Sequence, residues 1–383
     1  MKKAITIIGA GIGGLTTAML LKQKGFEPTI YESAPAIQPV GAGIIMANNA
    51  MQIYKKAGIQ HKIEQAGNKI SVMKITDTQL KPLSVMELSG YESVYGVYNV
   101  AIHRAALQHI LAEETGFENI VLSKRLVQIE KKENYKLSFE DGTVVHSDIV
   151  IGADGIKSVV RKQLFNTGEI RDALQVCWRG VCETNLSEKY QHEANELWGK
   201  GKRFGFVKIS NNKIYWYAVA NKRLVKENDL SLTKLLNKFH SDVLDIINAT
   251  TQENIFINNL TDLRPISIWA KNKSCLVGDA AHATTPNMGQ GACQAVEDAY
   301  TIAQLLGAGN NIKDAFAAYE KLRIKKAHDI VKRSWSAGKI SHIENGTLIW
   351  LRNIVMKLLP GSANNKLLDK IFDISYISGK KLI

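Results

Sequence analysis

Cysteine is scarce in this sequence: four in 383 residues, Cys177, Cys182, Cys275 and Cys293. They form no C-x-x-C pair and have no histidine cluster beside them. That speaks against a metal site or a disulfide framework and fits buried thiols in a reducing compartment, the cytoplasm. No apolar run approaches the roughly 18 residues a membrane span needs. Glycines interrupt the apolar stretch after Lys2-Lys3, which argues against a signal peptide. Acidic residues are also short, 36 Asp and Glu against 49 Lys and Arg, leaving a formal charge of +13. Such a balance suits nucleic acid, an anionic membrane or anionic small molecules without choosing among them. The rest is ordinary for a globular protein, with 45% hydrophobic and 22% charged residues. Disordered and fibrous classes are excluded, and the length suits about two domains.

The first thirty residues carry the strongest local signal. Residues 4–8 read as a short buried strand, followed by Gly9-Ala10-Gly11-Ile12-Gly13-Gly14 and a helical pattern to about Lys24. Gly25 stops that helix, and Pro28–Tyr31 makes a second strand that ends at Glu32-Ser33. This is G-x-G-x-x-G between a strand and a helix, with an acidic residue 18 positions beyond the last glycine, the context a dinucleotide site requires. Gly9 permits the tight turn, Gly11 leaves room for a pyrophosphate, and Gly14 lets helix and strand pack closely. The helix N-terminus at Ile12 and Gly13 favours phosphate charge. Glu32 can accept hydrogen bonds from an adenosine ribose. The motif alone does not separate NAD from FAD.

Two later segments do. Residues 144–161 read as a strand, a turn at Gly152-Ala153-Asp154-Gly155 and a helix start with Ser158 and Arg161. Residues 274–306 read as a strand, Gly278-Asp279, the stretch Pro286-Asn287-Met288-Gly289-Gln290-Gly291, and a long apolar helix beginning with Ala292. With these three motifs in order over nearly the whole chain, the sequence resembles the FAD-dependent monooxygenases of the aromatic hydroxylase (para-hydroxybenzoate hydroxylase) superfamily. Within it, the sequence is similar to FAD-dependent urate hydroxylases and zeaxanthin epoxidase-like members.

The resemblance implies roles. Asp279 would bond the FAD ribityl chain, and the backbone of Pro286, Gly289, Gly291 and Ala292 would face the flavin pyrimidine and pyrophosphate. Arg104 would reach the FAD from a helix, and Leu126 would lie by the adenine. Asp154 belongs to the D-G motif, and Gly41-Ala42-Gly43-Ile44-Ile45 matches the loop at the isoalloxazine edge. It also implies NADH or NADPH as electron donor, O2 as co-substrate, and oxygen transfer to an aromatic or other electron-rich small molecule through a flavin C4a-hydroperoxide. An oxidase or reductase acting on a lipophilic, isoprenoid-like substrate is the alternative. No second G-x-G-x-x-G follows a strand, so a separate nicotinamide domain is not expected. His103 and His282 read as hydrogen-bonding residues at a helix entry and in a loop, with a metal or base role the alternative for His282.

Residues 171–263 read mostly as strand, with Asn211-Asn212 a two-residue hairpin turn and 230–248 a helix packed through Leu232, Leu235, Leu236, Phe239, Val243 and Ile246. Substrate candidates are Arg179, Arg203, Tyr215, Tyr217 and Asn287, with Arg203 and Tyr215 as candidate catalytic groups. The urate hydroxylases match Arg203 with a substrate-anchoring arginine and Asn287 with an aspartate, a departure that counts against urate. The expected architecture is α/β. A Rossmann-like FAD domain (1–68, 99–170 and 264–330) is interrupted by a mostly antiparallel substrate sheet (69–98 and 171–263), with a helical segment at 331–383. That tail is basic, and residues 310–383 hold 14 Lys and Arg against 6 Asp and Glu. The stripe Leu348, Leu351, Val355, Leu358 is expected to pack on the substrate domain, a membrane-surface helix being the alternative. Basic residues interleaved with exposed aromatics, as a nucleic-acid reader needs, are not found. A monomer or weak homodimer is expected.

Overall fold

A computed structural model describes residues 3–37, 42–225 and 231–378. Gly41 of the expected isoalloxazine loop, residue 230 and the last five residues of the tail lie outside the described residues. Its first layer is a six-stranded sheet in the order Ala270–Lys271, Ser274–Leu276, Ile149–Gly152, Ile5–Ile8, Pro28–Tyr31, Ile120–Val121. All its neighbours pair in parallel except the first two. Ile5, Ile7, Ile8, Ile149, Val150 and Ile151 are buried, the continuous apolar pattern of parallel strands covered on both faces. The helices Ile12–Gln23 and Gly291–Gly307 pack against each other.

The second layer is a seven-stranded sheet in the order Ile255–Leu263, Ile170–Glu183, Lys213–Asn221, Lys202–Lys208, Glu193–Trp198, Val72–Thr76, Pro82–Glu87. Only Glu193–Trp198 and Val72–Thr76 pair in parallel. Parallel and antiparallel sheets with C-terminal helices make this the mixed α/β class expected. Alternation sets two faces. Trp178, Leu197, Phe204, Phe206 and Trp216 point one way, into a core closed by Leu232, Leu236, Phe239, Val243 and Ile246.

Three local expectations are corrected. The stretch 230–248 is not one helix but two, Leu232–Leu235 and Ser241–Asn248, because His240 turns extended and its Nδ1 caps the second by accepting from Asp242 N–H at 3.2 Å. The hairpin turn has three residues rather than two: Lys208 pairs with Ile214 and Ile209 N–H bonds Lys213, leaving Ser210, Asn211 and Asn212 in the loop. The third concerns the tail. The helix Gly346–Leu358 does pack on the substrate sheet, against Pro82–Glu87, but not through its stripe: Leu348, Leu351, Val355 and Leu358 are 49–76% exposed, whereas Arg352 is buried. The guanidinium of Arg352 donates to the carbonyls of Ile340 and Ser341 at 3.3 Å and lies 5.1 Å from the Trp198 ring centroid. Those carbonyls end the helix Ile312–Ser341, where the backbone lacks intrahelical donors and favours a cation. The arginine therefore takes the inward side and the stripe turns outward. The four cysteines are buried and free.

Beneath the two dinucleotide helices lies a cluster of charges. Asp298 accepts from Gly278 N–H (3.0 Å) and Arg323 Nε (2.8 Å) and meets His282 Nε2 at 2.5 Å. Its neighbour Glu297 accepts from Arg323 (2.6 Å), Asn49 (2.6 Å), Lys326 (3.0 Å) and the Tyr376 hydroxyl (2.5 Å). Burial alone raises the Asp298 carboxyl, but the charges of His282 and Arg323 more than reverse this and hold it below the usual range. A depressed carboxylate contributes stability that is complete above the unfolded-state pKa and is lost as pH falls through the folded one. Asp298→Asn should lower unfolding free energy by about 3 kcal/mol near pH 7, with the gap to the parent protein closing below about pH 4. Urea melts of both proteins across pH measure it, and a gap that stays constant with pH would contradict the assignment.

Candidate active site

The N-terminal glycines interlock with the D-G turn. Gly9 has φ +104°, and a Cβ there would lie 2.5 Å from the carbonyl oxygen of Ala153. A Cβ on Gly14 would overlap the carbonyl oxygen of Gly9. Around Gly11, by contrast, a Cβ would meet nothing within 4 Å, and the helix that starts at Ile12 and Gly13 has no side-chain cap. Open space in front of free N–H groups is what a pyrophosphate requires. Glu32 is fixed from behind by Ala10 N–H at 2.7 Å, Ala34 N–H at 2.8 Å and the Ser33 hydroxyl at 3.0 Å. Ser33 thus orients the carboxylate suited to a ribose. Leu126 is buried at the start of Leu126–Lys131.

Asp154 bonds its own turn, accepting from Ser158 Oγ (2.5 Å), Val159 N–H (2.7 Å) and Val160 N–H (3.1 Å). Arg161 carries the same turn to the G-D segment by donating to Ala280 O at 2.8 Å. There Gly278, at φ +59°, bends the chain, and Asp279 follows it, exposed, at the start of the helix Asp279–His282. The protein around it withdraws water and pushes its carboxyl up, opposed by the charges of His282 and Arg104. Arg104 is exposed at the head of Arg104–Thr115, where His103 Nδ1 caps the helix by accepting from Ala105 N–H at 3.3 Å. Pro286–Met288 forms a single turn ending at Gly289, φ +61°, and Gly291 and Ala292 open a helix that again lacks a side-chain cap. Among the described residues no group of His, Cys, Asp or Glu is arranged to hold a metal ion.

The sheet closes over these segments at two points. A Cβ on Gly43 would overlap Tyr215, so the strand Gly43–Met46, with Ile44 and Ile45, meets Tyr215 directly. At the other point Arg203 donates to Asn287 Oδ1. Register places Arg179, Tyr215, Tyr217 and Arg203 on one face, opposite Trp178 and Trp216. One residue of that face, Glu196, carries no signal in the sequence. Glu196 accepts from Arg203 (2.9 Å), the Tyr217 hydroxyl (2.5 Å) and Trp198 Nε1 (2.6 Å). A glutamate in a strand reads as solvent-facing, and its partner lies across a strand pair. Tyr217 reaches Glu196 by lying over Gly205, where a Cβ would overlap its ring.

Arg203 is buried, and its charge is offset by Glu196; its Nε has no partner among the described residues. Burial raises the Glu196 carboxyl, but Arg203 and the donors around it bring it below the usual range. Arg179 pairs with no carboxylate among the described residues; its charge lies beside the Cys177 thiol and the Tyr215 phenol. Burial pushes Tyr215 up to about 12, so it remains a phenol and a hydrogen-bond donor. Asn287 also has a positive reason: its Nδ2 donates to Thr285 Oγ1 at 2.9 Å and to the Ser334 carbonyl at 2.7 Å. An aspartate could donate to neither.

A dinucleotide cradle roofed by a polar antiparallel sheet is the plan of the FAD-dependent aromatic hydroxylases, and the chain is an FAD-dependent monooxygenase of that superfamily. Residues 2–334 match the FAD binding domain family, to which the chain belongs. Aurachin C monooxygenase/isomerase of Stigmatella aurantiaca is 35% identical, covering 94% of this chain and 95% of that protein. 2-Heptyl-3-hydroxy-4(1H)-quinolone synthase of Pseudomonas aeruginosa is 30% identical, covering 96% and 97%. The crystal structure of Klebsiella pneumoniae HpxO with FAD and uric acid superposes with a TM-score of 0.88 at 26% identity, covering 96% of each chain. NAD(P)H is the co-substrate typical of the family.

Asn287→Asp removes two donors and sets a second carboxylate against the Ser334 carbonyl. It should cost about 2 kcal/mol of stability or more, whereas Asn287→Ser should cost less. Thermal melts of the two variants give the comparison, and equal melting temperatures would refute it.

Proposed function

We propose that this monooxygenase hydroxylates a neutral, flat N-heteroaromatic ring carrying an oxo group, of the 4(1H)-quinolone kind. The observation that carries this is the neutralised state of Arg203. With Glu196 and Asn287 already on its guanidinium, that part of the wall offers little to an anionic substrate, and a neutral ring is cheaper to desolvate there. Arg179 remains as one cation, suited to polarising an oxo oxygen. The name of the 2-heptyl-3-hydroxy-4(1H)-quinolone synthase, at 30% identity, supports a 4-quinolone ring over the urate of the hydroxylase at 27%.

FAD would rest with its pyrophosphate at Gly9–Gly14 and its ribose at Glu32, and Asp279, Arg104 and the Gly289–Ala292 backbone would receive its flavin end. When bound, it supplies reduction by NAD(P)H and activation of O2. The chain's own part is placement and exclusion of water. Arg179 holds the oxo oxygen, and the Tyr215 phenol donates a hydrogen bond. Arg203, Glu196 and Tyr217 fix the wall that keeps the ring flat and shuts out solvent. In a 4-quinolone the ring nitrogen feeds electron density to the carbon beside the oxo group, so no separate base is required.

The purified yellow protein should oxidise NADH or NADPH faster with 2-alkyl-4(1H)-quinolones than with urate or salicylate. The product should carry one oxygen atom from labelled O2, and Arg179→Gln should raise KM about tenfold or more. Hydroxylation of urate with quinolones inert would overturn the proposal.

A further inference from the structure

The helix Gly346–Leu358 is docked by its arginine, leaving its apolar side uncovered. Leu348, Trp350, Leu351, Val355, Leu358 and the following Leu359 are all exposed, between 49% and 76%. Spacings of three and four residues put Leu348, Leu351, Val355 and Leu358 in one row along the helix. A continuous apolar strip of this kind marks an interaction surface, unlike scattered single residues. We propose that this face docks on an anionic lipid bilayer, with the helix lying in the plane of the surface.

Charge selects the occupant. Between Glu344 and Asp369 the sequence has no acidic residue, only Arg352, Lys357 and Lys366. Arg352 is turned inward, and Lys357 is exposed on the same helix, off the leucine row. The whole segment from 310 onward carries 14 basic against 6 acidic residues. A second copy of the chain would bring the same positive charge to the contact, whereas anionic headgroups complement it. Trp350, with an apolar body and a polar N–H, suits the headgroup boundary. At 13 residues the helix is too short to span, and no described helix is long and apolar enough to cross a membrane.

The position gives docking a purpose. Arg352 lies on Trp198, and Trp198 donates to Glu196 beside Arg203. The bilayer face is therefore linked through two side chains to the substrate wall. The docking does not rest on the proposed substrate.

The test uses the FAD-loaded full chain and phosphatidylcholine vesicles made with or without phosphatidylglycerol. Flotation with the phosphatidylglycerol vesicles is expected, weaker by about tenfold or more with phosphatidylcholine alone, in high salt and in the Leu351→Glu/Leu358→Glu variant. FAD content and melting temperature should be unchanged in that variant, because both side chains are exposed. A vesicle-induced blue shift of tryptophan fluorescence, lost in Trp350→Phe, provides a second reading. Absence of flotation, or undiminished flotation of the double variant, would overturn the proposal. So would a dimer in light scattering that the double variant dissolves, since a second copy would then own the face. None of these outcomes depends on turnover of a quinolone.

Discussion

Asp298 is the anion on which the nucleotide half depends. One of its oxygens takes the N–H of Gly278 and faces His282, and the other takes Arg323. The residue that bends the chain toward Asp279 is thereby pinned to the long helices. Arg323 passes the constraint to Glu297, which holds Asn49 and Tyr376. Burying these charges is costly unless each finds its counterpart. That stringency suits a site that must place several backbone segments around one large cofactor.

The second constraint is the seam where the seven-stranded sheet meets the strand Gly43–Met46 and the turn Pro286–Met288. Tyr215 lies on Gly43, and Arg203 on Asn287. Both contacts need a small or neutral residue on the cofactor side. The face formed by Arg203, Glu196 and Tyr217 is thereby tied to the nucleotide half through Asn287. A buried guanidinium with a carboxylate, an amide and a tyrosine around it resists reorganisation. Its field at the cleft is that of a dipole more than of a cation.

What could be read from the sequence was local or periodic. The glycines at 9, 11 and 14 are legible because a tight turn and a close approach exclude other residues. Alternation within a strand means that Tyr215, Trp216 and Tyr217 cannot all face one side, and the structure puts the two tyrosines together and Trp216 opposite. Glu196 was not legible, because its role exists only once the strand Glu193–Trp198 lies beside Lys202–Lys208. The stripe at 348–358 shows a further limit. Periodicity identifies which residues share a face but not which way it turns, and that was decided by two unpaired carbonyls attracting Arg352. Asp154 shows the reverse case: the motif is present, yet its oxygens serve the turn that displays it.

The contact between Gly9 and Ala153 bears on how the protein is made. The fingerprint is synthesised before the turn it locks onto, and the strand Ile5–Ile8 gains its neighbour Ile149–Gly152 only after the intervening chain has been made. The G-D segment and Asp298 come later still. Pairing over such sequence separations is slow to nucleate. The nucleotide pocket is therefore among the last features to mature, and a nascent chain interrupted before the long C-terminal helices carries an incomplete cofactor site.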